Sequence, residues 1–132
     1  MQKGFILVAL MVFSIFTNAF SQQPISGKKV KTITEYNIDN KQKELDHVIN
    51  FDANGLKIDE VEYYADGLIK TKTIFEYDSD KKCVKSTKYG QKGKIEKVTT
   101  YQYDAEGEIN LESSFYPEKR YKTDKVFEYS YY

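Results

Sequence analysis

His47 and Cys83 are each the single residue of their kind in a chain of 132 residues, and that bounds the metal and nucleophilic chemistry open to it. A zinc site built from Cys and His needs several such ligands, and one of each does not supply them. A Cys–His pair would require distant segments to bring these two together. A serine hydrolase would need His47 beside a Gly-x-Ser-x-Gly elbow, which does not occur. "GQKGK" (90–94) has the glycines and lysine of a phosphate loop without the strand–loop–helix context that cradles phosphate. Carboxylates are plentiful, with 20 Asp and Glu, but acid–base work on a glycosidic bond needs two of them facing across a cleft. "DSDKK" (78–82) begins like a calcium loop, yet Lys81 and Lys82 put positive charge where oxygen ligands belong. No metal and no cofactor is expected. A lone cysteine makes no internal disulfide, and Cys83 reads as a small buried apolar residue of a strand.

What remains is binding chemistry, and its residue is tyrosine. The chain has 12 tyrosines and no tryptophan. A tyrosine ring covers apolar neighbours or a ligand while its hydroxyl keeps a polar partner. Tyr77, Tyr101, Tyr103, Tyr129 and Tyr131 form one aromatic cluster and are the candidate ligand-binding residues, offered to an extended partner such as a glycan or another exported protein. Against this stands the expectation that the same rings form the hydrophobic core, since a domain this small must bury most of its large side chains. Two functional classes follow. One is a non-catalytic interaction or binding module; the other is a small periplasmic or cell-surface enzyme using carboxylates, a glycan-directed hydrolase. The first requires no missing parts. An outer-membrane barrel is excluded by strands such as "KIEKVTTYQY", whose mid-strand charges would be costly in hydrocarbon.

The elements that must position these rings are written in a repeat. The last large apolar residue before each polar cluster is Ile38, Phe51, Tyr64, Tyr77, Tyr89, Tyr103, Tyr116 and Tyr129, at steps of 13, 13, 13, 12, 14, 13 and 13. Each is followed by turn chemistry: "DNKQ", "DANG", "ADG", "DSDK", "GQKG", "DAEG", "PEKR". Asp opens such turns by accepting backbone amides, and Gly closes them in the left-handed region. An Asp-x-x-Gly of this kind fits a type I turn followed by a glycine bulge, with Gly55 and Gly107 at positive φ. Between turns lie stretches rich in Val, Ile, Thr, Tyr and Phe with the alternation of half-buried strands. The expectation is an all-β fold, an antiparallel up-and-down meander of about eight strands over 29–38, 43–51, 56–64, 68–77, 82–89, 94–103, 108–116 and 121–131. It is built from 13-residue strand–turn units and 26-residue hairpins, as an open twisted sheet or a partly closed barrel.

Phe51, Tyr77, Tyr103 and Tyr129 follow one another at intervals of 26, and Ile49, Phe75, Tyr101 and Phe127 stand two residues before them on the same face. Val48, Ile74 and Val126 take the other face. In the third strand Leu56 and Ile58 are out of step with Val61 and Tyr63, and a bulge near Asp59–Glu60 would reconcile them.

Residues 1–21 read as a secretory signal peptide: Lys3, then the apolar run "GFILVALMVFSIF" (4–16), then "NAFSQQ" with a cleavage site between Ser21 and Gln22. The run is too short to span a bilayer, which takes about 20 residues. Residues 22–132 form a single domain, exported to the periplasm, cell surface or extracellular space. The whole chain is formally neutral, which argues against bulk attraction to nucleic acid or membrane lipid. No membrane insertion is expected after signal removal.

"YQYDAEGEI" (101–109) resembles the Tyr-Asp (YD/RHS-type) repeat, with "FEYDSDKK" and "NFDANGL" matching in part, and "YYADGLIK" (63–70) resembles a MORN-type variant repeat. Signal peptide and repeat together resemble small exported bacterial proteins of unknown function. The likeness covers residues 50–109 and implies a local β-hairpin fold. In large YD-repeat proteins such hairpins build a shell around a cargo, which this chain is too short to enclose, so no activity is implied.

Overall fold

A computed structural model describes residues 29–132; the expected signal peptide lies outside the described residues. The strands are β1 (Thr32–Asp39), β2 (Gln42–Phe51), β3 (Lys57–Tyr63), β4 (Ile69–Tyr77), β5 (Cys83–Tyr89), β6 (Ile95–Tyr103), β7 (Ile109–Tyr116) and β8 (Tyr121–Val126). They form one sheet in sequence order, every neighbour antiparallel. The sheet is open: β1 and β8 are its two edges, and it does not close into a barrel.

Five of the connections share one geometry. The amide of the first turn residue donates to the carbonyl of the fifth in Asp52–Leu56, Tyr64–Leu68, Asp78–Lys82, Gly90–Lys94 and Asp104–Glu108, and the fourth residue donates back to the first. The fourth position takes positive φ, at Gly55 (82°), Gly67 (81°), Lys81 (63°), Gly93 (72°) and Gly107 (88°). In the Asp-led turns the carboxylate does what the sequence requires of it. Asp52 Oδ1 accepts from the amides of Asn54 and Leu56, at 2.8 and 2.9 Å. Asp78 Oδ1 accepts from Asp80 and Lys82. The Leu56 amide foremost, with that of Asn54, holds the Asp52 carboxyl below its ordinary pKa. The first tight link is shorter: Asn40 and Lys41 both lie at positive φ (46° and 66°) between the paired Asp39 and Gln42, the mirror-image turn that suits a two-residue hairpin.

The five turns begin at residues 52, 64, 78, 90 and 104, so the repeat alternates steps of 12 and 14. The short steps hold the seven-residue strands β3 and β5, and the long ones the nine-residue strands β4 and β6. The expected bulge in the third strand exists, but one place earlier. Asn50 pairs with Asp59 and Phe51 with Lys57, leaving Ile58 extra. It also proves to be a rule: Lys70, Val84, Glu96 and Asn110 are the extra residues at the second position of β4, β5, β6 and β7. The extra residue turns the first residue of each strand out of phase with the rest, which explains the shift at Leu56 and Ile58.

The last strand stops at Val126, not 131. Val126 occupies the place that Ile74 has in β4, where the ladder to the preceding strand also ends. In β4, Phe75–Tyr77 continue only because β5 pairs with them. No ninth strand exists among the described residues, so 127–132 leave the ladder after one last bond, Phe127 N to Asn110 O.

The sheet is a single layer. Only Phe51, Val61, Cys83 and Ile109 are buried among the large apolar and thiol side chains described. The deepest positions are small: Ser86, Thr99 and Ser114 are buried and stand in one cross-strand row with Phe75 and Thr123. Thr99 Oγ1 and Ser114 Oγ satisfy each other at 2.9 Å. The aromatic cluster is therefore neither a fully buried core nor a free row of rings.

Candidate binding surface

Each tyrosine that ends a 26-residue unit reaches back across the sheet by the same bond. Tyr77 Oη donates to the Lys57 carbonyl at 2.8 Å, Tyr103 Oη to Cys83 at 2.6 Å, and Tyr129 Oη to Ile109 at 2.8 Å. The acceptors are the first residues of β3, β5 and β7. They lie beyond the ladders to the following strands, which start at Asp59–Ile74, Lys85–Thr100 and Leu111–Val126. A carbonyl there has no strand partner on that side, and the hydroxyl supplies one. Phe51 holds the first place in the series with no hydroxyl to give. Tyr101 Oη meets Ser86 Oγ at 3.1 Å.

Burial of these rings raises the phenols. Tyr103 is pushed up to about 12, by desolvation first and by the neighbouring Cys83 next. Tyr77 is pushed well above the ordinary phenol range by the same causes in the same order. Tyr101 is raised by desolvation. Tyr77, Tyr101 and Tyr103 are half-buried. Tyr129 and Tyr131, 43% and 71% exposed, lie past the end of β8 beside the Asp104–Glu108 turn. The structure thus brings Tyr77, Tyr103 and Tyr129 into one repeated structural role, and leaves the rings of Tyr129 and Tyr131 the most open of the five.

The other chemistry-bearing residues are held apart. His47 on β2 and Cys83 on β5 are three strands apart, ~14 Å across the sheet. Cys83 is 1% exposed, and burial pushes its thiol up to about 11. His47 sits between two carboxylates, Glu35 at 3.4 Å from Nδ1 and Glu60 at 2.9 Å from Nε2. The Glu60 oxygen lies close to Nε2 but makes no hydrogen bond with it. Glu60 also pairs with Lys57 at 2.9 Å. No group of three potential metal ligands converges among the described residues.

Sequence reading missed a second row on the same face as Tyr101. Lys88 and Lys97 are directly opposed across β5 and β6. Tyr116 follows Phe115, the partner of Val98, and so stands beside Lys97; Tyr121 is paired with Tyr116 in turn. The Tyr116 and Tyr121 rings are 5.8 Å apart at 32°. A depression of about 350 Å³ is lined by Lys88, Glu96, Lys97, Tyr116, Glu118 and Lys119. The bulge is what hid it: with a regular ladder, Tyr89–Ile95 pairing would set Lys88 opposite Glu96. On the opposite face, the Gly90–Lys94 turn leans toward β4 and encloses a more apolar hollow of about 420 Å³ between Ile69, Ile74, Tyr89 and the turn backbone.

No protein-family model and no curated protein matches this chain. A solved structure similar to it is the GtfA/B complex bound to UDP and GlcNAc. That likeness covers 73% of this chain and 20% of the other, at 14% identity and a TM-score of 0.42. The chain therefore spans about a fifth of that protein's length, and a likeness at this level carries no argument about activity.

Proposed function

We propose that the chain is an exported, non-catalytic β-repeat protein that binds an extended partner, a glycan or another exported protein. The observation that carries this reading is the single-layer sheet, whose two long faces stay open and present tyrosine rings beside charged rows. An aromatic ring supplies large contact area with little side-chain entropy to lose. Glu60 and Glu76 are engaged in ion pairs and Asp78 caps its own turn, which makes these three poor candidates for acid–base work. The apolar run at 4–16 supports export. The recurring turn, five times with one bonding pattern, supports kinship of the repeat with YD/RHS- and MORN-type hairpins.

The test is capture on a glycan array and from a preparation of exported proteins, using protein purified from an exporting host. A specific glycan or exported protein should be retained. Tyr129→Ala with Tyr131→Ala reports whether the open tyrosines take part, because both lie past the last strand and their loss spares the ladder. Retention of neither a glycan nor an exported protein, or turnover of a glycan by the purified protein, would overturn the reading.

A further inference from the structure

Lys88 and Lys97 present a problem that the fold does not resolve. They stand directly opposite each other on neighbouring strands, and like charges so placed destabilise a sheet. Both are half-buried, and among the described residues neither has a carboxylate within ion-pair distance, although Lys72, Lys85, Lys94, Lys122 and Lys125 each do. Lys119 adds a third ammonium group at the rim. Such a cluster is stabilised by a bound anion.

The remainder of the depression narrows the anion's identity. Next to the two lysines in the same cross-strand row is the Tyr116–Tyr121 ring pair, a surface on which the apolar face of a sugar ring can lie. Glu96 and Glu118 complete the lining. Glu118 pairs through one oxygen with Lys94 at the rim. Carboxylates at the rim repel a polyphosphate or nucleic-acid backbone, but they accept hydrogen bonds from hydroxyl groups. Two opposed ammonium groups, two adjacent aromatic rings and two hydroxyl-accepting carboxylates match a hydroxylated ring that bears one acidic substituent. The depression's volume lies in the range of small-ligand sites, about 300–1,000 Å³.

We propose that the row Lys88–Lys97–Tyr116–Tyr121 binds an acidic saccharide, with its carboxylate or sulfate between the two lysines and its ring against Tyr116. This rests on the binding-module reading and places the binding at the Lys-rich end of the sheet, away from Tyr129 and Tyr131.

The experiment is calorimetric titration of the purified protein with a galacturonic-acid tetrasaccharide, a sulfated galactose tetrasaccharide, the neutral galactose tetrasaccharide and inorganic sulfate. At least one acidic tetrasaccharide should bind at least about tenfold more tightly than the neutral one and than sulfate alone, the size expected of one charge-assisted contact. The two acidic arms decide between uronate and sulfate ester. Lys88→Gln with Lys97→Gln should weaken that binding at least about tenfold, and Lys43→Gln, which removes an exposed charge on the distant strand β2, should leave it unchanged. Without saccharide, the double glutamine variant should melt at a higher temperature than the parent, because the opposed charges are gone. A merely structural role for the lysines predicts the reverse. Equal binding of acidic and neutral sugars overturns the site. So does binding lost only in the Tyr129/Tyr131 variant, although the binding-module reading then stands. Binding of sulfate as tight as any sugar, or of no saccharide at all, also overturns it; capture of an exported protein decides the broader reading separately.

Discussion

The Tyr103 hydroxyl donates to the Cys83 carbonyl at 2.6 Å across a gap of 20 residues, and the same bond recurs 26 residues earlier and later. In each case a tyrosine, at the end of β4 or β6 or three residues past the end of β8, satisfies a carbonyl that the bulged start of the preceding strand leaves outside the ladder. Tyr103→Phe keeps the ring and removes the donor. It should lower unfolding stability by about 1 kcal/mol, the net worth of a hydrogen bond plus part of the cost of an orphaned carbonyl. Tyr129→Phe, at an exposed site where water can replace the hydroxyl, should cost less. Urea unfolding of the two variants checks the order; equal and negligible losses would show that the bonds contribute nothing.

The turns make a second, opposed pair of expectations. Gly107 holds φ 88° with only the end of the Lys82 side chain near the position of a Cβ, so Gly107→Ala should cost about 1 kcal/mol from backbone strain alone. Gly55, at φ 82°, should behave alike. Lys81 takes the equivalent place at φ 63° and carries that strain already. Lys81→Gly should therefore be neutral or stabilising in thermal melts. Loss of stability in Lys81→Gly comparable to that in Gly107→Ala would refute the equivalence of the turns.

The turns and strands were legible because their signals are local. Asp52, Asp78 and Asp104 cap the amides of their own turns, and Gly55 and Gly107 supply left-handed φ within the same few residues. Alternation then gave the strands and the faces. The bulges were not legible, because an extra residue is defined by its partner strand. Only Ile58 betrayed itself, through a phase shift in apolar residues. Lys70, Val84, Glu96 and Asn110 do the same without breaking any visible pattern. Cross-strand partners depend on those bulges, so neither the Lys88–Lys97 opposition nor the Lys85–Glu76 ion pair at 2.8 Å could be read from the sequence. The end of β8 was hidden for a related reason: Phe127–Tyr131 alternate as a strand should, but no strand among the described residues pairs with them.

The buried hydroxyl row predicts an asymmetry in mutation. Thr99 is 1% exposed and bonded to Ser114. Thr99→Val preserves shape and leaves the Ser114 hydroxyl without its partner, at a cost of about 1–3 kcal/mol. Adding Ser114→Ala should recover part of that loss, since an apolar pair of similar shape leaves nothing unsatisfied. Chemical unfolding of the single and double variants measures this. Strictly additive losses would mean that the two hydroxyls are satisfied elsewhere.

Cys83 gives the last prediction, and its sign follows from burial. Burial raises the thiol from an ordinary 9.0 to about 11, so the folded protein favours the neutral form and the unfolded chain ionises first. Stability contributed by the neutral thiol is complete below about pH 9 and is lost as pH rises through about 11. Tyr103, held at about 12, extends the loss to higher pH in the same direction. Two measurements follow. Thermal melts should fall progressively above about pH 9, and Cys83→Ser, which titrates nothing in that range, should flatten the first part of the decline. Thiol-reactive reagent at pH 8 should modify the folded protein at least about tenfold more slowly than the urea-unfolded chain, because thiolate is scarce and the sulfur is covered. Rapid modification of the native protein, with no change in melting up to pH 11, would show that Cys83 is an accessible reactive thiol and not part of the sheet's buried seam.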